Sequence, residues 1–233
     1  MISVIIPLYN QARHLPGTLD SLLEQTYRDF EIIVVNDGSS DNSGAAAKSF
    51  SNRFLALSVN YKIVNHEANM GAPAARNRGA QEARGAYLLF CDADVRLDKD
   101  MLAIMLSALE SHPEAGFAYS SFKWGRKLFK LFPYDAGKLK SFPYINMMSL
   151  MRREDFPGFD KSLKKFQDWD LWLQMLKRGK EGVWIDRVLF EITPGGTMSH
   201  WLPSFAYKLF PMMPAVKRYK KALAVIKEKH GLK

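Results

Sequence analysis

Short apolar runs alternate with amphipathic stretches through the first half of the chain. Ile2 to Ile6 is a β-branched run ended by Pro7, and Glu31 to Val35 is a second run that stops at Asn36-Asp37-Gly38-Ser39. Val59 to Val64 and Ala86 to Cys91 complete four predicted strands, and Gly116 to Tyr119 adds a short fifth. Between them, His14 to Gln25 sets Leu15, Leu19, Leu22 and Leu23 on one helical face. Further helices are predicted from near Asp41, over Pro73 to Arg84 and over Lys99 to Ser111. Such alternation predicts an α/β fold with a mostly parallel central sheet covered by helices on both faces.

After Ser121 the periodicity weakens. Residues 121–165, rich in Lys, Phe, Tyr and Pro, are expected as loops and short strands over the sheet's edge. Gln167 to Lys177 restores a helix, with Trp169, Trp172, Leu173 and Leu176 on one face. Val183 to Ile192 reads as a hairpin or edge strand, and the tail from Ala215 as a short basic helix. No internal repeat and no linker divides the chain. We therefore expect one domain over residues 1–200, with a basic C-terminal extension, 201–233, packed on or next to it.

In a parallel sheet, ligands bind outside the carboxyl ends of the strands, so the residues there carry the chemistry. They are Pro7-Leu8-Tyr9-Asn10, Asn36 to Asp41, and Cys91-Asp92-Ala93-Asp94. Each could serve only as a turn. In an extended segment Asp92 and Asp94 face the same way, and two hard oxygen donors suit Mg²⁺ or Mn²⁺ shared with a diphosphate. The competing use is a capping turn before Lys99. Asp168 opens the Trp-rich helix, where the helix dipole favours its ionised form; a helix N-cap is one use for it there. Asp170 lies about 200° farther round that helix, so the two acids are not expected to share a site.

Composition narrows the class. With 47% hydrophobic and 24% charged residues in 233, the chain is neither disordered nor low-complexity. One cysteine, Cys91, excludes an intrachain disulfide and a Cys-based zinc site and fits a cytoplasmic, reducing compartment. The sequence reads without a signal peptide, and no apolar run of roughly 18 residues predicts a membrane span. The net charge of +9 is concentrated: +5 over Ser121 to Lys140 and +7 over His200 to Lys233, leaving −3 elsewhere.

Five motifs in order give the chain a family resemblance. They are Pro7-Leu8-Tyr9-Asn10, Val35 to Asp41, Asn69 to Gly79, Asp92-Ala93-Asp94 and Gln167-Asp168-Trp169-Asp170. Together they resemble the family 2 glycosyltransferases, inverting enzymes of the GT-A fold, from about Ile2 to Gly196. The resemblance implies a nucleotide-sugar donor (a UDP-sugar favoured), a divalent metal (Mn²⁺ or Mg²⁺) and an aspartate base. Carried over, Pro7 and Tyr9 line the nucleoside pocket and Asp37 accepts a base N–H. Arg76 reaches the base or diphosphate, its rival role being a surface salt bridge. Asp92 meets the ribose or the metal, Asp94 ligates the metal, and Asp168 is the base. His200 is a further metal candidate, with an ordinary surface histidine as the alternative. Two departures stand out: Gln167 replaces an acid, and Thr193 stands where a histidine is expected.

The acceptor implied is a hydroxyl of a glycan or lipid-linked molecule in cell-surface polysaccharide or lipopolysaccharide assembly. The basic, aromatic stretches Lys123 to Phe132, Lys208 to Met213 and Lys217 to Lys221 suit an anionic membrane surface, hence a peripheral place on the inner membrane face; packed loops and a solvated helix are the alternative. No nucleic-acid module is recognisable. Two rival functions fit the same sequence: a sugar-phosphate nucleotidyltransferase, and a catalytically silent membrane-surface scaffold of the same fold.

Overall fold

The computed structural model describes residues 1–195 and 213–232. Strands β1 (Ile2–Leu8), β2 (Phe30–Asp37), β3 (Asn60–His66) and β4 (Tyr87–Phe90) are parallel and lie in the order β3-β2-β1-β4. β1 and β2 are buried on both faces, which explains their continuous apolar runs. Helices α1 (Leu15–Leu23), α2 (Ser43–Ser49), α3 (Ser51–Ala56), α4 (Ala72–Glu82) and α5 (Met101–Glu110) supply the crossovers. From β1 the chain crosses to β2 on one side and later arrives at β4 on the other. The strand order therefore reverses between β1 and β4, the place where α/β sheets open a crevice.

Beyond β4 the sheet departs from the sequence-based expectation. Its full order is β3-β2-β1-β4-β8-β6-β9-β5, with β7 (Lys127–Phe129) on β6 (Ala115–Trp124). Residues 121–165 do not merely cover an edge: β8 (Leu150–Arg152) sits inside the sheet, antiparallel to both β4 and β6. Leu150 and Met151 are fully buried, so this three-residue strand shows no alternation to recognise. β9 (Glu181–Ile192) is neither a hairpin nor an edge strand; it runs parallel to β6 and antiparallel to β5 (Val95–Leu97), which forms the edge.

Helix α6 (Ala136–Ser141) precedes α7 (Gln167–Lys177), whose bounds agree with the sequence pattern. The C-terminal helix α8 (Pro214–His230) is longer than expected and is docked on α7. Val216 and Ile226 are buried, His230 Nε2 lies 2.7 Å from Asp170 Oδ1, and Lys229 Nζ lies 2.9 Å from the same oxygen. Tyr219 meets Phe166 edge to face. Asp170 thus serves the contact between these two helices.

Helix α4 lies close against the sheet because Gly79 faces Ile5. A methyl group at Gly79 would stand 2.3 Å from Ile5 Cγ2, and Ile5, fully buried, has no room to move. Gly79→Ala is therefore expected to cost about 1–3 kcal/mol through overpacking, despite the better helix propensity of alanine. Thermal unfolding checks it: an unchanged or raised melting temperature would show that the α4–β1 contact can spread to admit a methyl group.

Candidate functional site

The loops after β1 and β2 are interlocked. Asn10 Oδ1 accepts the backbone N–H groups of Ser40 (2.9 Å) and Asp41 (3.3 Å), while Gln11 and Ala12 donate theirs to Ser43 Oγ and Asp41 Oδ2. Tyr9 is left 39% exposed on the rim. Pro7 has no N–H, and the strand tolerates it for a local reason. Ile5 O accepts from Cys91 N, so Pro7, two residues on, faces the same side, beyond the last β1–β4 pair at Ile5 and Phe90. The backbone there borders the crevice rather than a neighbouring strand.

Asp37 ends β2 and is buried. Its carboxylate accepts the N–H groups of Met70 (3.0 Å) and Gly71 (2.8 Å) and lies 2.7 Å from His66 Nδ1. Gly71 precedes α4 with φ at 90°, a conformation that favours glycine. Asp37 therefore fixes the loop that aims α4 into the crevice, and its oxygens are already engaged by that loop.

Arg76 on α4 is 2% exposed, not a surface residue. Its Nη2 donates to Asp92 Oδ1 at 2.7 Å and its Nη1 to Gln167 Oε1 at 2.9 Å, with the guanidinium over the Phe159 ring. Asn77 holds both the N–H and the C=O of Phe159, each at 2.8 Å. Adjacent side chains of α4 thus tie three separate segments together: the strand end at Asp92, the 156–160 loop and the first turn of α7. Arg76 Nε is buried without a partner.

Asp168 is the second residue of α7 and is not its N-cap; Phe166, in the left-handed conformation at φ 59°, holds that position. Asp168 Oδ1 accepts Trp169 N–H at 2.9 Å. Burial pushes its carboxyl above the ordinary aspartate range, the Trp169 bond and the Arg76 charge pull it down, and Asp92 adds to the rise. Asp94 is pushed up to about 6 by burial and by the charge of Asp92. Among the described residues no cation pairs with Asp94. The Asp94 carbonyl accepts Thr193 N–H at 2.8 Å, which brings the end of β9 alongside.

The structure thus brings Asp92, Arg76 and Gln167 into contact and sets Asp94 and Asp168 within electrostatic reach of Asp92. Tyr9 and Pro7 lie on the β1 side of the same rim, and Asp37 joins through the loop that starts α4. His200 lies outside the described residues. The sequence pattern missed two partners, Gln167 as acceptor for Arg76 and Phe159 beneath it; only the adjacency of Arg76 and Asn77 in one motif hinted at a shared task.

For a divalent cation, the fit rests on Asp94, a half-buried carboxylate with no cation against it among the described residues, and on Asp92 beside it. No group of three or more His, Cys, Asp or Glu side chains converges among the described residues. Two carboxylates suffice for a hard cation that completes its shell with phosphate oxygens and water.

Comparison with known proteins agrees with this geometry. The family model described as glycosyl transferase family 2 matches residues 3–167, ending one residue before Asp168. The amylovoran biosynthesis glycosyltransferase AmsB of Erwinia amylovora is 31% identical over 229 residues, covering 89% of this chain and 75% of that protein. The uncharacterized glycosyltransferase YibD of Escherichia coli K12 is 44% identical over 112 residues, 47% of this chain and 30% of its own length. With EpsJ of Bacillus subtilis at 26%, the chain spans under a third of these two relatives. The crystal structure of S. aureus TarS 1–349 in complex with UDP-GlcNAc superposes with a TM-score of 0.72 at 22% identity, over 89% of this chain and 63% of that one. The mannosyltransferase PcManGT of Pyrobaculum calidifontis, in complex with GDP-Man and Mn²⁺, gives 0.69 at 22%, over 86% and 58%. These two likenesses establish the GT-A type of fold, and the sequence match from Ser3 through Gln167, with its acids on the strand-end rim, makes the chain a member of glycosyltransferase family 2.

Proposed function

We propose that this protein transfers a sugar, with inversion, from a nucleoside-diphosphate donor to a hydroxyl of a glycan or lipid-linked acceptor. One observation carries the reading: Arg76 joins Asp92, on the strand-end rim, to the first turn of α7, so the donor-side acids and Asp168 belong to one electrostatic unit. A UDP-sugar is the favoured donor, in keeping with the UDP-GlcNAc bound by the TarS fragment. Polysaccharide assembly is supported by AmsB and by the poly-β-1,6-N-acetyl-D-glucosamine synthase of Staphylococcus epidermidis, 29% identical over 152 residues.

In this reading the nucleoside lies against Tyr9 and Pro7. Asp168 takes the proton of the acceptor hydroxyl as that oxygen bonds to the anomeric carbon from the face opposite the departing diphosphate. The bond from that carbon to the diphosphate oxygen breaks, and the nucleoside diphosphate leaves with its electron pair. Asp94 and Asp92 would hold Mn²⁺ or Mg²⁺, which when bound would supply positive charge to the diphosphate.

Residues 1–200 form the transferase unit and 201–233 its extension in this proposal. The basic hairpin of β6 and β7, with Leu128 51% exposed beside Lys127 and Arg126, is the surface proposed to meet anionic lipid; no helix among the described residues is long and apolar enough to cross a membrane. A scaffold without catalysis would release no nucleoside diphosphate from any donor.

The test is a thermal-shift screen of UDP- and GDP-sugars, with Mn²⁺ and with a chelator. A UDP-sugar with Mn²⁺ is expected to raise the melting temperature, and Asp94→Ala to lose the Mn²⁺-dependent part. Stabilisation at a ligand concentration of 100 Kd is about 2.7 kcal/mol, or roughly 5–11 °C for a chain of this size. No shift with any donor would overturn the proposal.

A further inference from the structure

A second recess lies on the opposite rim of the sheet. β6 and β9 run parallel to each other and, through antiparallel β8, parallel to β4. Their amino ends, at Ala115 and Glu181, therefore face away from Asp92 and Asp94. There, Tyr134, Trp184, Glu114, Glu181 and His112 line a recess of about 300 Å³. Gly182 is part of its lining and has to be glycine, since a side chain at this position would collide with the Phe117 ring, whose edge-to-face partner is Tyr134.

Two features of the lining point to an occupant. Tyr134 Oη and Trp184 Nε1 are both shielded from solvent and both without a hydrogen-bond partner. Buried polar groups in native proteins are paired in the great majority of cases, and an orphan costs about 1–3 kcal/mol. Both side chains line one recess, so an acceptor that reaches either group there recovers free energy. The second feature is charge. The lining carries two carboxylates and no Lys or Arg, and burial together with the Glu181 charge holds the Tyr134 hydroxyl in its protonated, donating form. An anion is disfavoured. A ligand with a flat apolar face for the aromatic rings, hydroxyls to donate to Glu114 and Glu181, and oxygens to accept from Tyr and Trp is a pyranose ring.

We infer that this recess is a binding site for a neutral glycan, separate from the candidate active site. It holds a saccharide without chemistry and needs neither donor nor metal, so it stands independently of the transferase reading. If the protein extends or decorates a glycan, the recess anchors a sugar residue distant from the reacting hydroxyl.

The experiment follows the tryptophan indole N–H resonances of ¹⁵N-labelled protein during titration with neutral β-linked N-acetylglucosamine and glucose oligomers, with hyaluronan oligomers as the anionic comparison. One indole resonance is expected to move saturably with a neutral oligomer, to be missing in Trp184→Phe, and to move equally in Asp94→Ala. Glu181→Lys, at an exposed position that does not endanger folding, is expected to weaken binding about tenfold. Nucleoside diphosphate release from donor alone should be the same in Glu181→Lys as in the parent. No movement with any neutral oligomer, movement that persists in Trp184→Phe, equal binding of hyaluronan, or unchanged affinity in Glu181→Lys would each overturn the inference.

Discussion

Replacing Asp168 by asparagine is expected to leave nucleotide-sugar binding intact while cutting sugar transfer by about 10²–10⁴-fold, the usual range for removing a general base. Asparagine keeps the oxygen that accepts Trp169 N–H and keeps the shape of the α7 start. What it loses is the capacity to take a proton. The variant should also be no less stable than the parent near neutral pH, and this separates the catalytic role from a structural one. Because the folded-state pKa of Asp168 lies above the unfolded value, ionising it costs the folded state. That cost is absent at pH values below the ordinary aspartate range and is complete once pH has risen past the raised value. Asparagine removes it. The same shift places the acidic limb of the transfer rate above the range of an ordinary aspartate, since the base must be ionised to act. Matched donor affinities, transfer rates and melting temperatures for the two proteins check all of this. Normal turnover in the variant would remove Asp168 from the mechanism.

Parallel strands buried on both faces announce themselves as unbroken apolar runs, so β1, β2 and β4 were legible; β3, at the sheet's edge with no fully buried residue, showed only through the weaker Val59 to Val64 pattern. The strand-end acids were legible for the same reason, because every such strand delivers its last residues to one rim. β8 was not: Leu150 and Met151 are buried inside the sheet, and a strand of three residues carries no period. The docking of α8 was half visible. Val216, Ile226 and His230 fall on one helical face, but the many lysines between them suggested a solvated helix. Pairings distant in sequence left no local trace. Nothing near Asp37 says that its oxygens belong to Met70 and Gly71, and nothing near Gln167 says that it faces Arg76. The neutral Gln167, a departure from the family pattern, still accepts the Arg76 bond through its amide oxygen.

The contact of Arg76 with Asp92 and Gln167 leads to the other large effect. Arg76→Met keeps most of the side-chain volume and removes the cation that, among the described residues, stands against Asp92 and Asp168. Removing one partner of a buried ion pair costs about 3–5 kcal/mol. Asp92 is 26% exposed and can turn toward water, so the low end, about 3 kcal/mol, is expected here, a fall of roughly 6–12 °C in melting temperature. The loss of positive charge also drives the Asp168 pKa further up, so the acidic limb of the transfer rate should move to higher pH in whatever folded protein remains. Arg76→Lys discriminates between charge and geometry. Lysine restores a charge beside Asp92 and should recover part of the stability, but a single ammonium has no planar fork to span Asp92 and Gln167 together. Its transfer rate should therefore stay low while donor affinity approaches that of the parent, a defect in kcat rather than KM. If lysine restored both, Arg76 would be only a counter-charge; if methionine cost nothing, the rim acids and the start of α7 would not be coupled through it.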